Sequence, residues 1–306
     1  MSVDRRQVLL LTGAALLSGR AAWSESTAAA STMLTRKIPS SGEAIPVIGL
    51  GTSGAFDVGD SADERAAVEE VLRLFFAGGA TLIDTAPSYR RAEGVIGDLV
   101  ARIEPARGFL ATKVSARGKD AGLEQIRNSF KVLRRDVIDL MQIHSLSDWQ
   151  THSATLRELK GQGKFRYIGI THSSTSAHGE LESVLRAEKW DWVQLNYSIE
   201  TRDAEDRLLP LAAEKGVAVM VNRPFEDSAI FERVSSKPLP EWAKDFDCAT
   251  WGQFFLKYVL SHPAVSCAIP ATAKPKHMAD NLAAGKGRLP DAKMRTEMVK
   301  YFESVA

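Results

Sequence analysis

Four side chains with complementary chemistry follow the ends of three successive apolar segments. Asp84 closes the segment TLID, and Tyr89 comes five residues later. Lys113 ends the next apolar segment, and His144 ends the one after it. A phenol with a pKa of about 10 is a poor acid at neutral pH, but a neighbouring ammonium favours the phenolate and assists proton transfer. We therefore expect Tyr89 to protonate a substrate oxygen.

The other three side chains have matching expected roles. Asp84 is expected to keep Lys113 charged and oriented, and His144 to hydrogen-bond the substrate oxygen and position a carbonyl group. Any one of these residue types alone is more often a helix cap, a surface residue or a satisfied core group. Together they predict a site, because the carboxyl ends of the strands of a β/α barrel meet at one face.

The elements that must position these residues are apolar segments alternating with amphipathic helical stretches. Such alternation predicts a parallel sheet covered by helices, and eight units in 306 residues favour closure into one barrel. We thus predict an α/β fold, a single (β/α)8 TIM barrel over residues 31–306. The eight predicted strands are Val47–Gly51, Thr81–Asp84, Phe109–Lys113, Ile138–Ile143, Tyr167–Thr171, Trp192–Leu195, Val217–Val221 and Ser266–Pro270.

Local patterns add detail at both ends of the predicted barrel. The alternating residues 34–46 surround Pro39-Ser-Ser-Gly42 and predict an N-terminal hairpin that closes the barrel bottom. Ser61-Ala-Asp-Glu64 is a capping box that predicts the start of a helix, which Gly78 and Gly79 end. The stretch MRTEMVKYF after Pro290 predicts a closing helix.

A glycine-rich segment supports an alternative fold. Gly49-Leu-Gly-Thr-Ser-Gly54 matches the dinucleotide-binding fingerprint after a strand, and Asp84 ends the next strand, as in a Rossmann dehydrogenase. However, residues 55–60 separate the last glycine from the capping box at Ser61, whereas the fingerprint opens directly into a helix. We therefore favour the barrel and keep the Rossmann fold as the alternative.

Three motifs resemble the aldo-keto reductase family. They are Asp84-Thr-Ala-Pro-Ser-Tyr89, Leu110-Ala-Thr-Lys113 and Asp139-Leu-Met-Gln-Ile-His144, and the resemblance extends from about Thr35 to the carboxyl end. It implies a β/α barrel that reduces aldehydes and ketones with NADPH. The family's catalytic tetrad corresponds to the four side chains described above.

The resemblance also implies a site for the nicotinamide along the later strands. Family members hold the carboxamide with a Ser-Asn pair after strand five and a Gln at strand six. Here Thr171 and His172 stand at the first place and Gln194 at the second. The aromatic residue that stacks on the nicotinamide after strand seven corresponds to Asn222 or Arg223.

Beyond strand eight the sequence is similar to the family's adenosine-phosphate segment, and Asp280 and Asn281 match its adenine-contacting pair. Ala271 and His277 stand where a Lys and an Arg often bind the 2′-phosphate, and Lys274 and Lys276 could substitute for them. We expect NADPH, with NADH as the alternative. The predicted cofactor-binding residues are Gly51, Thr52, Asp84, Thr171, His172, Gln194, Asn222, Arg223, Lys274, Asp280 and Asn281.

The sequence gives less specific evidence for the residues that bind the substrate. Phe56 and Trp149, in the loops after the first and fourth strands, are candidates to line a pocket for a small carbonyl substrate, although plain packing explains them equally well. An NAD(P)H-dependent reductase is the favoured function. A binding barrel that acts through a protein partner is the alternative, and the complete tetrad argues against it.

Composition excludes several other classes of protein. The 39 basic and 38 acidic residues give a net charge of +1, without the basic stripe of a nucleic-acid-binding protein. Cys248 and Cys267 lack the spacing of metal ligands, so we predict no metal site. Both cysteines are interpreted as structural, and a single disulfide remains open if the protein is exported.

The first thirty residues have the pattern of an export signal. An apolar run from Val8 to Leu17 follows Arg5 and Arg6, and it is shorter than the roughly 20 residues that span a bilayer. The arginine pair resembles a twin-arginine signal, which implies export of a folded protein with its cofactor bound. An ordinary Sec signal is the alternative. We expect a periplasmic protein with no membrane anchor after the signal of residues 1–30 is removed.

Overall fold

A short antiparallel hairpin precedes the main sheet in the computed structural model, which describes residues 32–104 and 108–306. Strand β1 (Thr35–Lys37) pairs with β2 (Ala44–Pro46), and Gly42 turns the chain between them with a φ of 76°. This confirms the predicted hairpin. The predicted export signal lies outside the described residues.

Eight parallel strands, β3 to β10, form the main sheet and follow one another in sequence order. Parallel bridges from Ile48 to Ala268 and from Gly51 to Ala271 join its two edges, which confirms the predicted (β/α)8 barrel. The strands are β3 (Leu50–Gly51), β4 (Leu82–Asp84), β5 (Phe109–Val114), β6 (Ile138–His144), β7 (Phe165–Thr171), β8 (Trp192–Asn196), β9 (Ala218–Asn222) and β10 (Val265–Ala268).

Helices cover the outside of the barrel. They are α1 (Ala62–Ala77), α2 (Ala92–Ile103), α3 (Lys119–Leu133), α4 (Trp149–Gly161), α5 (His178–Ala187), α6 (Leu208–Lys215), α7 (Ala229–Arg233), α8 (Trp251–Leu260), α9 (Pro275–Ala284) and α10 (Ala292–Val305). Helix α1 begins as predicted, since the Ser61 side chain accepts a hydrogen bond from the Glu64 amide. Within the described residues, none of the helices is long and apolar enough to cross a bilayer.

Two apolar clusters fill the molecule. The larger lies between the strands and the surrounding helices, and the smaller fills the amino-terminal end of the barrel interior. Ile38 and Ile45 of the hairpin belong to the smaller cluster, together with strand residues such as Leu82 and Trp192. The hairpin therefore closes the barrel bottom, which leaves the carboxyl-terminal face for a site.

The glycine-rich segment packs strands together instead of opening a nucleotide-binding helix. A Cβ atom on Gly49 would lie 2.8 Å from the Leu82 carbonyl oxygen, and one on Gly51 would lie 2.7 Å from that of Ile269. These glycines permit the close approach of neighbouring strands. The barrel topology rules out the Rossmann alternative.

Candidate active site

The four predicted catalytic side chains lie together at the carboxyl-terminal face of the barrel. Asp84 ends β4, Lys113 lies on β5 and His144 ends β6. Tyr89 ends a short 3-10 helix, Pro87–Tyr89, which is separated from β4 by two residues. Asp84, Tyr89 and His144 line one open cavity, and Lys113 is buried behind them.

Lys113 and Asp84 form a buried ion pair. Lys113 Nζ donates to Asp84 Oδ2 at 2.6 Å and to the Thr85 carbonyl oxygen at 2.8 Å. Burial alone would lower the pKa of Lys113, but the charge of Asp84, with a smaller effect of Tyr89, outweighs it and the pKa is raised. The lysine is therefore a fixed positive charge beneath the site.

Tyr89 lies over this charge, with Lys113 Nζ 4.8 Å from the centre of its ring. Burial raises the pKa of Tyr89, Lys113 partly offsets that increase, and Asp84 adds to it. The net direction is upward, because burial outweighs the effect of the ammonium that was expected to favour the phenolate. The phenol of the free protein therefore keeps its proton, and Lys113 acts by stabilising the phenolate as it forms.

His144 lies beside Tyr89, with the two rings edge to face and their centres 5.9 Å apart. Burial, followed by the charge of Lys113, lowers the pKa of His144 to about 4, so its imidazole is neutral at pH 7. Ser88 Oγ lies 3.3 Å from Nδ1. A hydroxyl donated to Nδ1 leaves the Nε2 proton available for a substrate oxygen.

Two glutamines that converge on Asp84 complete the buried network. Gln142 Nε2 and Gln194 Nε2 donate to Asp84 Oδ1 at 3.0 and 2.8 Å, while Lys113 occupies the other oxygen. Gln142 was missed by the sequence prediction, as was Ser88. A polar residue two positions before His144 in an apolar strand was the available indication, because alternate strand residues share a face.

Gln194 also links Asp84 to the next strands. Its Oε1 accepts from Thr171 Oγ1 at 2.9 Å and from Asn222 Nδ2 at 3.3 Å. Asn222 Oδ1 is buried without a hydrogen-bond partner in the structure. A buried acceptor in the wall of a cavity suits a ligand that carries an N–H donor, such as a carboxamide.

The cavity is lined by most of the cofactor residues predicted on the strand ends. His172 is absent from the lining; its Nδ1 accepts from the Ser174 amide and its amide donates to the Gln194 carbonyl oxygen. The predicted residues that line the cavity are Gly51, Thr52, Asp84, Tyr89, His144, Thr171, Gln194, Asn222 and Arg223. The lining residues that were not predicted are Ser53, Ala55, Ser173, Pro224, Phe225, Asp227, Ser228, Ile269, Pro270 and Ala271.

Neither of the two predicted substrate aromatics is among the residues that line this cavity. The Phe56 amide donates to the Thr52 carbonyl oxygen, and its side chain is 0% exposed in the larger apolar cluster. Trp149 begins α4 and packs against the same cluster. Phe56 is therefore a core residue, whereas Trp149 is partly exposed and its contact with substrate stays a prediction.

Directly after β10, residues 269–271 line the cavity, whereas Lys274, Asp280 and Asn281 lie outside the lining. Lys274 is exposed at the amino-terminal end of α9. The Asp280 carboxylate accepts from Thr250 Oγ1 at 2.8 Å and from Gln253 Nε2 at 2.8 Å, so it joins α9 to α8. Asn281 is buried with 4% exposure. Asp280 thus has an internal structural role, and its contact with adenine stays a prediction.

The described residues contain no group of three His, Cys, Asp or Glu side chains placed to hold a metal ion. Cys248 and Cys267 are both buried and unpaired. Burial raises the pKa of the Cys248 thiol to about 12, and it also raises that of Cys267. Both thiols are therefore inert packing groups.

Comparison with known proteins identifies the family. Residues 47–298 match the model of the aldo/keto reductase family. This chain belongs to the aldo/keto reductase family. The motifs around Asp84, Lys113 and His144 all lie within the matched region.

Relatives of this aldo/keto reductase cover most of its length. The methylglyoxal reductase YeaE of Escherichia coli is 27% identical over 86% of this chain and 93% of its own. An NADH-specific methylglyoxal reductase of E. coli is 27% identical over 60% of this chain and 63% of its own. An aldo-keto reductase from Klebsiella pneumoniae, solved in complex with NADPH, is 26% identical over 88% of this chain and 96% of its own, with a TM-score of 0.72.

Proposed function

We propose that the protein reduces an aldehyde or ketone to the alcohol, with NAD(P)H as hydride donor and Tyr89 as general acid. The observation that carries this proposal is the buried Lys113–Asp84 pair beneath Tyr89, beside a neutral His144 that faces the same cavity. A proton donor, a charge that stabilises its conjugate base and a hydrogen-bond donor for the substrate oxygen thus converge on one point.

The cavity wall fits a nicotinamide. The unpartnered Asn222 Oδ1 can accept from the carboxamide N–H group, and Thr171 and Gln194 border the same surface. When bound, the reduced nicotinamide supplies the hydride that adds to the carbonyl carbon. The NADPH complex of the Klebsiella relative supports NADPH as the cofactor, and the NADH-specific relative keeps NADH open.

Side chains of the protein supply the proton that the carbonyl oxygen receives. The Nε2–H group of His144 donates a hydrogen bond to the carbonyl oxygen and orients it toward Tyr89. The Tyr89 hydroxyl then transfers its proton to that oxygen as negative charge develops there. Lys113 stabilises the resulting phenolate, and Asp84 keeps the ammonium in place.

A Tyr89→Phe variant tests the mechanism. Consumption of NADPH or NADH is followed at the absorbance band of the reduced nicotinamide with a panel of aldehydes, including the 2-oxoaldehyde methylglyoxal suggested by the names of the relatives. We expect turnover to fall by about 10²- to 10⁴-fold, with the cofactor dissociation constant unchanged. Full activity of the variant would overturn the role of Tyr89. Tight cofactor binding without turnover in the wild type would favour the binding barrel.

Export by the twin-arginine route is a further part of the proposal, and it rests on Arg5, Arg6 and the apolar run after them. A folded barrel exported with its cofactor would reach the periplasm ready for reduction. An Arg5→Lys, Arg6→Lys double variant should accumulate in the cytoplasm, while the wild type appears in the periplasmic fraction. Unchanged export of the variant would favour the Sec route.

A further inference from the structure

Arg223 carries the one permanent positive charge among the described residues that line the cavity. It follows Asn222 at the end of β9, and its Nη1 donates to the Ser173 carbonyl oxygen at 3.4 Å. Its Nη2 lies 2.9 Å from Oδ2 of Asp227, which lines the same cavity. The guanidinium is thus held between two loops at the cavity mouth.

This ion pair is open to solvent and easily exchanged. The side chains of Arg223 and Asp227 are 39% and 72% exposed, and ion pairs screened by water in this way are weak. A phosphate group is a stronger partner for a guanidinium, because its oxygens accept two parallel hydrogen bonds from the planar group. A ligand phosphate at the mouth would therefore displace the Asp227 carboxylate.

The proposed cofactor places a phosphate near this position. A dinucleotide has one ribose between its nicotinamide and its diphosphate. The nicotinamide contacts proposed above end at Asn222, and Arg223 is the next residue of the same cavity wall. The diphosphate of the cofactor is therefore the anionic group that Arg223 can contact.

The backbone holds both charged residues in an unusual conformation. Arg223, Glu226, Asp227 and Ser228 have φ values of 49°, 48°, 53° and 79°, which are uncommon for residues with a side chain. Hydrogen bonds from the Glu226 amide to the Arg223 carbonyl oxygen and from Ser198 Oγ to Glu226 Oε1 support this segment. Such left-handed residues are retained where a function uses their position.

We infer that Asp227 competes with the diphosphate of the cofactor for Arg223, so that each binding event exchanges a carboxylate for a phosphate. This inference rests on the proposed nicotinamide-dependent function. Asp227 then lowers the affinity of the protein for the cofactor. The same competition favours dissociation of the oxidised cofactor after the reaction.

The test measures binding of NADPH to the ligand-free protein, without substrate, from the quenching of tryptophan fluorescence or by calorimetry. Asp227→Asn should lower the dissociation constant by about two- to fivefold, as expected for loss of a weak competing ion pair. Arg223→Gln should raise it. In the Arg223→Gln background, the added Asp227→Asn change should have no effect, because the contested group is gone.

A second exposed ion pair, formed by residues outside the cavity lining, provides a control. Glu200 pairs with Arg233 in a similarly exposed ion pair, and neither residue lines the cavity. Glu200→Gln should leave the dissociation constant unchanged, which separates the local competition from a general effect of net charge.

Two results would overturn the inference while leaving the proposed function standing. Weaker binding by Asp227→Asn would mean that Asp227 positions Arg223 for the cofactor, and unchanged binding would mean that the pair does not take part. Failure of the wild type to bind either NADPH or NADH would instead remove the proposed function and this inference with it.

Discussion

The ammonium of Lys113 lies 2.6 Å from the carboxylate of Asp84, and the two side chains are 0% and 2% exposed. Gln142 and Gln194 occupy the other carboxylate oxygen, so Asp84 has little freedom to turn away from the lysine. A buried charge of this kind depends on its partner, because it has no access to water.

Replacement of Asp84 by Asn should therefore affect both stability and catalysis. Removal of one partner of a buried ion pair costs about 3–5 kcal/mol in the free energy of unfolding. Without the Asp84 carboxylate the protonated form of Lys113 is less favoured, so Lys113 stabilises the Tyr89 phenolate less well. Denaturant unfolding and steady-state turnover measure the two effects. Asp60→Asn is the control, since Asp60 is 98% exposed in its pair with Arg65 and should change stability by about 1 kcal/mol or less. Equal stability of the two variants would contradict the prediction.

The contact between α2 and α3 predicts a second effect on stability. A Cβ atom on Gly97 would lie 2.0 Å from the Val132 carbonyl oxygen, so Gly97→Ala must push the helices apart. We expect a loss of about 1–3 kcal/mol, as for other overpacked sites, measured by thermal or denaturant unfolding. Gly94 lies in the same helix with open space around it, and Gly94→Ala should be neutral or stabilising by up to about 1 kcal/mol. A stable Gly97→Ala variant would show that α2 and α3 are not so closely packed.

The lowered pKa of His144 should make the stability of the protein depend on pH. Its pKa in the folded protein is about 4, below the ordinary 6.5, so the unfolded chain binds this proton first as the pH falls. The corresponding stability is complete above about pH 6.5 and is lost as the pH falls toward 4. Burial also lowers the pKa of His172 and His262, so the measured quantity is the difference between wild type and His144→Gln across this range. The variant should show a shallower loss of stability, and identical pH curves would be the contrary result.

The contact between Ser88 and His144 leads to a prediction about the tautomer of the His144 ring. With its hydroxyl donated to Nδ1, the ring should carry its proton on Nε2, which nitrogen chemical shifts of the ligand-free protein can report. Ser88→Ala should increase the Nδ1-protonated form and lower kcat, because less of the protein then presents Nε2–H to the substrate. Ser88→Thr keeps the hydroxyl and serves as the control. The same tautomer in wild type and Ser88→Ala would show that Ser88 does not position the ring.

The barrel and the position of its site could be read from local sequence. Alternating strands and helices require parallel pairing, and parallel pairing brings every strand's carboxyl end to one face. Strand order alone therefore brings three residues to the same face, namely Asp84, Lys113 and His144. The capping box at Ser61 and the hairpin turn at Gly42 are likewise decided by residues close in the chain.

The environment of the site required the tertiary structure. Phe56 is a loop aromatic by sequence, but it is buried in the larger apolar cluster and does not line the cavity. Asp280 joins α9 to α8 through Thr250, a contact that depends on how two helices meet. Helical and strand periodicity sets which residues share a face, but it carries no information on which distant side chains meet there.

The balance of charge was also decided by the tertiary structure. The raised pKa of Tyr89 is the sum of burial, Lys113 and Asp84, and burial is the largest of the three effects. Motif spacing predicts which charges are neighbours, but the cost of removing a group from water depends on every atom packed around it. The sequence by itself therefore determined which groups could carry out the chemistry and at which face of the barrel. Only the folded structure decided their protonation states and which other side chains, such as Phe225 and Asp227, border the cavity.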